Sequence, residues 1–509
     1  MLKKKIIVIP LDERPCNYDF NIFMSRETPY EILSPPRSLM GNKKIPGQCN
    51  LIIDWLKKEA KDAQGLIVSL DTLLYGGIVP SRLHNHSIDE LKAKLEVLRQ
   101  IKKENEKLVI YGFQLLMRNP KYSSSEEEPD YYAEYGREIH LFGVYQHKKE
   151  LGIITKKELQ SLKKLEAYIP KMYLDDYLSR RNKNTLMNEY FINLVRDEII
   201  DFALIPQDDS SPYGFTAIDQ FKTRKMIEDK NLETKIYMYP GADEVANTLL
   251  SRLILSLENK KPLVYLKYSS VNAASIIPLY EDRYLGETIK YQVLAAGGLL
   301  IDDLQNADIV LLVNAPSTNM KEAKDIHHRT IEYDSFRTLI EFVEFTDYAI
   351  EILNKPVILA DVAYANGGDY HLFKLLKQKN LLFRLSAYAG WNTSSNSLGT
   401  AIPQGVLAWL YPDRQANLDF LGLRYVEDIG YCSLVRSKVS KMLKPPLDYY
   451  NLDGCKGSVV TSIKKELDNF IHKNFITLKP VITNIYSPWN RMFEIGLNIK
   501  VEKVNKEWG

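Results

Sequence analysis

The stretch DFALIPQDDSSPYGF (201–215) passes directly from an apolar run to Gln207, Asp208 and Asp209, and then into the turn SSPYG. A short apolar run without alternation is the pattern of a strand buried on both faces, as in a parallel sheet covered by helices. The same form recurs along the chain in IIVIP (6–10), GLIVSL (65–70), LVIYGF (108–113), KIYMYP (235–240), PLVYLKY (262–268), DIVLLVN (308–314), PVILAD (356–361) and LFRLSAY (382–388). Segments with helical spacing lie between these runs, among them 88–107, 188–199, 243–258 and 333–345. The rhythm is that of mostly parallel βα units, and it places the chain in the α/β class.

Two architectures are consistent with it. AAGGLLIDDLQNADIVLLVNAP (295–316), a glycine turn and a short strand before a longer one, points to two doubly wound Rossmann-like lobes. Polar residues at nearly every strand end, namely Asp12, Asp71, Arg118, Asp208, Asp243, Asn314, Asp361 and Asn392, favour a distorted (β/α)8-type barrel, where all strand ends converge on one site. The barrel is the expectation and the two lobes are the alternative. The βα rhythm spans 1–411, with an insertion at about 119–185 containing SSSEEEPDYYAEYGREIH, a segment suited to helices or a site rim. From 412 to 509 a small C-terminal α+β module is expected, ending in a pair of strands.

Lys and Arg total 67 against 65 Asp and Glu, a net charge of +2, which gives no field suited to a nucleic-acid backbone. The opening MLKKKIIVIPLDERP has too short an apolar run for a signal peptide, and no stretch approaches the roughly 20 apolar residues of a membrane span. A cytoplasmic protein with neither nucleic-acid nor membrane partners is expected; the oligomeric state is open. Cys16, Cys49, Cys432 and Cys455 form no CxxC pair, which fits reduced thiols. Cys16 follows the first strand and could be a nucleophile, although a packed small residue is the commoner use.

Asp208 and Asp209 are the candidate catalytic pair. Adjacent carboxylates oppose each other's ionisation, which can divide them into a charged base and a protonated acid, as cleavage of a glycosidic bond requires. The ordinary use of the same residues is a helix cap at Asp209 and an ion pair at Asp208. Tyr213 follows closely as a candidate substrate contact. PLDERP (10–15) offers Asp12 and Arg14, and SLDTLLYGGIVPSR (69–82) offers Asp71 and Tyr75. Arg118 and Asn314 stand at two further strand ends, and Asp243 stands at a helix start after a glycine. DVAYANGGDYHL (361–372) brings Asp361 and Asn366, and SAYAGWNTSSNSLGTA (386–401) brings Trp391 and Asn392. An aromatic face with amides suits a sugar ring, although a buried Trp beside a capped turn reads equally well. Each acidic residue has an internal ion pair or a cap as its alternative.

No cofactor is expected, since there is neither a GxxxxGKS loop nor a strand-linked GxGxxG, and the missing GxSxG elbow weakens acyl transfer. Asp12, Asp71, Asp208, Asp209 and Asp361 could gather around a hard divalent cation such as Mg²⁺, so that option stays open. No zinc site is expected, because the adjacent His327 and His328 cannot easily aim at one ion.

PLDERP, LDTLLYGG, QDDSSPYG, YPGADEVA, DVAYANGGD, YAGWNTSSNSLGTA and SPWNRMFE (487–494), in this order, resemble the bacterial domain of unknown function 4127 family across essentially the whole chain. Many members of that family carry Asp or Thr where this chain has Glu13. FALIPQDD is also similar to the fourth-strand segment of O-GlcNAcase-type glycoside hydrolases. That likeness implies that Asp208 orients an acetamido group, that Asp209 protonates the leaving oxygen and then activates water, and that Asp361 and Asn366 hold sugar hydroxyls. The expected function is hydrolysis of a small glycoside, with N-acetylated amino sugars as the favoured class. The alternatives are a metal-dependent enzyme acting on a sugar or sugar phosphate, and a non-catalytic carbohydrate-binding protein.

Overall fold

KKIIVI becomes strand β1 (Lys4–Ile9), whose Ile6 to Ile9 have no exposed surface, because both faces of the strand are covered by helices. The computed structural model describes residues 3–208, 210–325 and 330–504. Around β1 lie β2 (Tyr30–Leu33), β3 (Gly65–Ser69), β4 (Val109–Phe113), β5 (Phe202–Leu204) and β6 (Ile236–Tyr237), all parallel, in the order β2-β1-β3-β4-β5-β6. A second parallel sheet holds β7 (Leu263–Tyr268), β8 (Leu299–Ile301) and β9 (Ile309–Asn314). Between β9 and the next long strand lies the short β10 (Lys321–Glu322). β11 (Val357–Asp361), β12 (Tyr364–Ala365) and β13 (Ala387–Ala389) follow; β10 pairs with β12, and the second sheet runs β13-β11-β9-β7-β8.

The α/β class with parallel βα units is therefore what the chain adopts. Among the described residues the parallel strands form one sheet of six and one of five, each with its own edges, beside the short pair β10-β12, and no pairing links the six-stranded sheet to the five-stranded one. The fold is thus mixed α/β, with parallel sheets of six and five strands. Read from its first strand, each sheet has the winding 2-1-3-4-5, and the first sheet adds a sixth strand. Reversal of the strand order beside the first strand opens a crevice at the carboxyl ends, where doubly wound sheets bind ligands.

Two helices join the sheets. Val245–Leu257 packs on the first sheet, with Leu253 filling the space above Gly65 and Arg252 lying 3.6 Å from the centroid of Phe202. Ser394–Leu410 packs on the second sheet, its Gly405 set against Ile358. The two helices meet at Gly399, where a Cβ would fall 2.1 Å from Glu244 Cγ, so only glycine permits this approach. Ile67, Leu250, Leu312, Ile358 and Leu398 belong to one continuous buried cluster spanning both sheets.

The insertion folds into the helices Tyr132–Glu150, Lys156–Tyr168 and Lys171–Arg196, the second begun by a reciprocal cap between Thr155 and Glu158. Past residue 412 come helix Gln415–Arg424, a wide-turn π segment Tyr425–Val435, helix Ser458–Asn474 and the antiparallel strands β14 (Leu478–Tyr486) and β15 (Gly496–Lys503). Ile499 and Val501 join the same buried cluster. No helix among the described residues is long and apolar enough to cross a membrane.

Candidate functional site

Arg14 leaves β1 at the start of a short helix that Pro15 opens. Asp12 Oδ2 accepts from its Nε at 3.0 Å and its Nη2 at 2.6 Å, and Asp243 Oδ1, arriving after β6, accepts from Nη2 at 2.6 Å. Asn17 Nδ2 donates to both carboxylates at 3.0 and 3.1 Å. Glu494 Oε2 lies 3.4 Å from Nη1, and the Trp489 ring centroid lies 4.4 Å from the guanidinium carbon. Burial pushes the Asp243 carboxyl up, with Arg14 opposing that shift. The outcome is a guanidinium fixed from four sides. Glu13 takes part as well, since its Oε1 accepts from the Trp489 indole at 2.5 Å and from the Lys43 amide at 3.0 Å.

A second group gathers on the insertion. Arg82 follows β3, Arg118 follows β4 and Arg491 precedes β15, and all three converge on Glu127. The donors are Arg82 Nη1 at 3.2 Å, Arg118 Nη2 at 3.0 Å and Arg491 Nη1 at 2.5 Å. Burial alone would push Glu127 up, but these guanidinium groups hold it well below the usual carboxylate range. Glu128 Oε1 accepts from Arg118 Nε at 2.8 Å and Arg82 Nη1 at 3.3 Å. Asp208 Oδ2, at the end of β5, accepts from Arg82 Nη2 at 2.8 Å, with 15% of its side chain exposed. Asp209 lies outside the described residues, as do His327 and His328.

The second sheet closes the other side. Glu281, after β7, is buried; its Oε1 accepts from the Ser395 amide and hydroxyl, both at 2.8 Å, and its Oε2 from the Thr288 hydroxyl at 3.2 Å. Burial raises its pKa to about 7. Asn366 and Asn392 sit at φ of 62° and 50°, in the left-handed region that asparagine tolerates better than most residues. Asn392 Nδ2 reaches Asp243 Oδ2 at 3.4 Å.

These groups line one cavity of about 280 Å³ between the carboxyl ends of the two sheets. Of the residues expected from sequence, Arg14, Arg118, Asp208, Asp243, Asn366 and Asn392 are on its wall. Asp12 lies behind Arg14. The other described ones are elsewhere. Asp71 Oδ2 accepts from the Leu115 amide at 2.9 Å, and burial lifts its pKa to about 7. Tyr75 stacks on His84 at 4.4 Å, and Tyr213 stands edge-on to His147. Trp391 is buried, with its indole donating to Thr400 and its ring edge-on to Phe20, so it is a core residue and offers no sugar platform. Cys16 is buried too, and burial raises its thiol well above the usual range, which removes it as a ready nucleophile.

Asn314 and Asp361 end β9 and β11 inside a closed network. Asp361 accepts from Asn314 Nδ2 at 2.8 Å, the Tyr388 hydroxyl at 2.9 Å and the Asp369 amide at 2.6 Å, while Arg337 pairs with Asp369 at 2.7 Å. This leaves Asp361 no reach to a sugar hydroxyl in the cavity, contrary to the role implied by the glycosidase likeness. Burial, then the Asp369 charge, raises Asp361 to about 6.

The expectation had not singled out Arg82, Glu127, Glu281, Arg491 or Glu494. Arg491 and Glu494 do lie in SPWNRMFE, so the motif was visible even though its partner at Arg14 was not. Among the described residues no three His, Cys, Asp or Glu side chains form a group that could hold a metal ion.

A sequence model of the family described as "Protein of unknown function (DUF4127)" matches residues 6–498, so the chain belongs to that family. Neither a curated protein nor a solved structure shows significant similarity to it.

Proposed function

We propose that this DUF4127 member is a glycoside hydrolase-like enzyme acting on a small uncharged glycoside, N-acetylated amino sugars above all, with Asp208 and Asp209 as its acid/base carboxylates. One observation carries the reading: Asp208 stands at the carboxyl end of β5, partly accessible, in a cleft that loops from both sheets enclose. The wall supports it. Among the described residues, Arg14, Arg82, Arg118 and Arg491 face Glu126, Glu127, Glu128, Asp208, Asp243 and Glu281, four guanidinium groups against six carboxyl groups. Such a wall gives an anionic substrate such as a sugar phosphate little advantage. Hydroxyls, which both donate and accept, suit the mixture, and Gln207, Asn366, Asn392 and Asn396 add amides of the same kind.

In the reaction Asp208 orients the acetamido group, whose carbonyl oxygen attacks the anomeric carbon while Asp209 gives its proton to the departing glycosidic oxygen. Water then adds to that carbon, loses its proton to Asp209 and restores the acetamido group. A second reading gives the first proton to Glu281, favoured by its pKa of about 7 in the same cavity.

The test is a panel of α- and β-linked aryl glycosides of N-acetylglucosamine, glucosamine and unsubstituted hexoses. At least one should be hydrolysed, with kcat/KM falling roughly 10²–10⁴-fold in Asp209→Asn. Unchanged turnover in Asp208→Asn and Asp209→Asn overturns the reading, and a larger loss in Glu281→Gln than in Asp209→Asn selects the second proton donor. Loss of activity to a chelator would transfer the site to metal-dependent chemistry. Sugar binding without turnover of any substrate would make this a carbohydrate-binding protein.

A further inference from the structure

The mouth of the cleft differs from its interior. Tyr122 from the insertion, Tyr280 from the loop after β7 and Tyr450 from the segment before helix Ser458–Asn474 all line the cavity, yet they are 51%, 44% and 49% exposed. Three distant parts of the chain thus bring large aromatic side chains to one rim. Tyr280 is held there at a cost, since its φ of 70° lies in the left-handed region that a bulky residue avoids. Its hydroxyl donates to Glu322, whose other oxygen accepts from the cavity-lining Asn366 at 2.7 Å, so the ring is tied to the wall. Phe493, the aromatic residue deeper in, has the Arg491 guanidinium 5.0 Å from its centroid.

Size gives the rim a purpose. About 280 Å³ lies just below the range of roughly 300–1,000 Å³ typical of ligand pockets, room for about one sugar unit. A second unit must pass over the mouth. Aromatic faces bind the apolar face of a pyranose while leaving its hydroxyls in water.

We propose that Tyr122, Tyr280 and Tyr450 form a stacking subsite for a second sugar unit, so that the ligand is an oligosaccharide rather than a single glycoside of a small alcohol. The inference rests on the sugar-cleft reading and adds to it a ligand length. It is tested by calorimetry on the full-length Asp209→Asn protein, with N-acetylglucosamine and its β-1,4-linked dimer and trimer as probes. Affinity should rise from monomer to dimer. Tyr280→Ala should lower dimer and trimer affinity roughly three- to tenfold and leave the monomer unchanged, Tyr280→Phe should retain it, and Tyr122→Ala and Tyr450→Ala should act in the same direction. Equal affinity for the three probes, equal weakening of all three by the Ala variants, or no binding of any probe overturns the proposal. Oligomers bound but left uncut by the wild-type protein would sink the hydrolase reading alone.

Discussion

The two sheets share a winding order and place polar residues at the same carboxyl ends, yet the ends of β5 and β6 border a cavity while those of β9 and β11 are sealed. Behind β9 and β11, the Arg337 and Asp369 side chains are 0% and 1% exposed, and Asn314, Asp361 and Tyr388 complete a network with no opening. Behind β1, β3, β4, β5 and β6, comparable ion pairs leave Asp208 15% and Glu127 20% exposed on a shared wall. Topology alone therefore does not make a site. The sealed network also reaches the π segment, where Asp428 accepts from the Gly390 amide at 2.7 Å and pairs with Arg424 at 3.2 Å.

The sharpest way to break this contrast is to exchange a carboxylate for its amide on each side. Asp208→Asn should cost roughly 10²–10⁴-fold in kcat/KM with little change in unfolding free energy. Asp361→Asn should leave kcat/KM of the folded protein within about threefold and lower stability by about 1–3 kcal/mol. Reversed phenotypes would relocate the site to the second sheet. Next in size is Arg337→Met, which strands the buried Asp369 and should destabilise the protein by about 3–5 kcal/mol in urea unfolding. A loss below about 1 kcal/mol would mean that water reaches the network.

Glu281 gives a smaller effect, with its sign fixed by linkage. Its folded pKa of about 7 is above the ordinary 4.5. Below about pH 4.5 both folded and unfolded states are protonated; as pH rises toward 7 the unfolded state ionises first, so stability is lost across that window. Glu281→Gln should therefore reduce the drop in unfolding free energy between pH 5 and pH 8, by about 2 kcal/mol. An unchanged slope would show that Glu281 ionises freely. The smallest effect is expected at Asp71, where Asp71→Asn at pH 6 replaces a largely protonated group and preserves an acceptor for the Leu115 amide, for a change under about 1 kcal/mol.

Much of the fold was legible because buried strands announce themselves. Runs such as GLIVS and VILAD are buried at every residue, and each became a strand. The edge strand β2, YEIL, was missed because it alternates and is only partly covered. The strand-end polar residues do not all share one centre: Asn314 and Asp361 bond to each other in a closed network, while Asp208 and Asp243 line the cavity. At the site, Arg14, Asp208 and Asp243 could be found because each follows a strand directly. Trp391 could not be placed, since a stacking platform and a core indole look identical until Phe20 and Thr400 are beside it. Nor could the pairing of Arg14 with Glu494, because no local pattern links residues 480 positions apart.

That separation has a consequence in time. A ribosome extending the chain at roughly 5–20 residues per second exposes Arg14 some 24–96 seconds before Glu494 and Arg491 are made. Until then Arg14 can meet Asp12 but not its distal partner, and Glu127 has only two of its three guanidinium groups. The cleft is thus assembled last, and a chain released shortly before residue 491 would carry both sheets without a finished site.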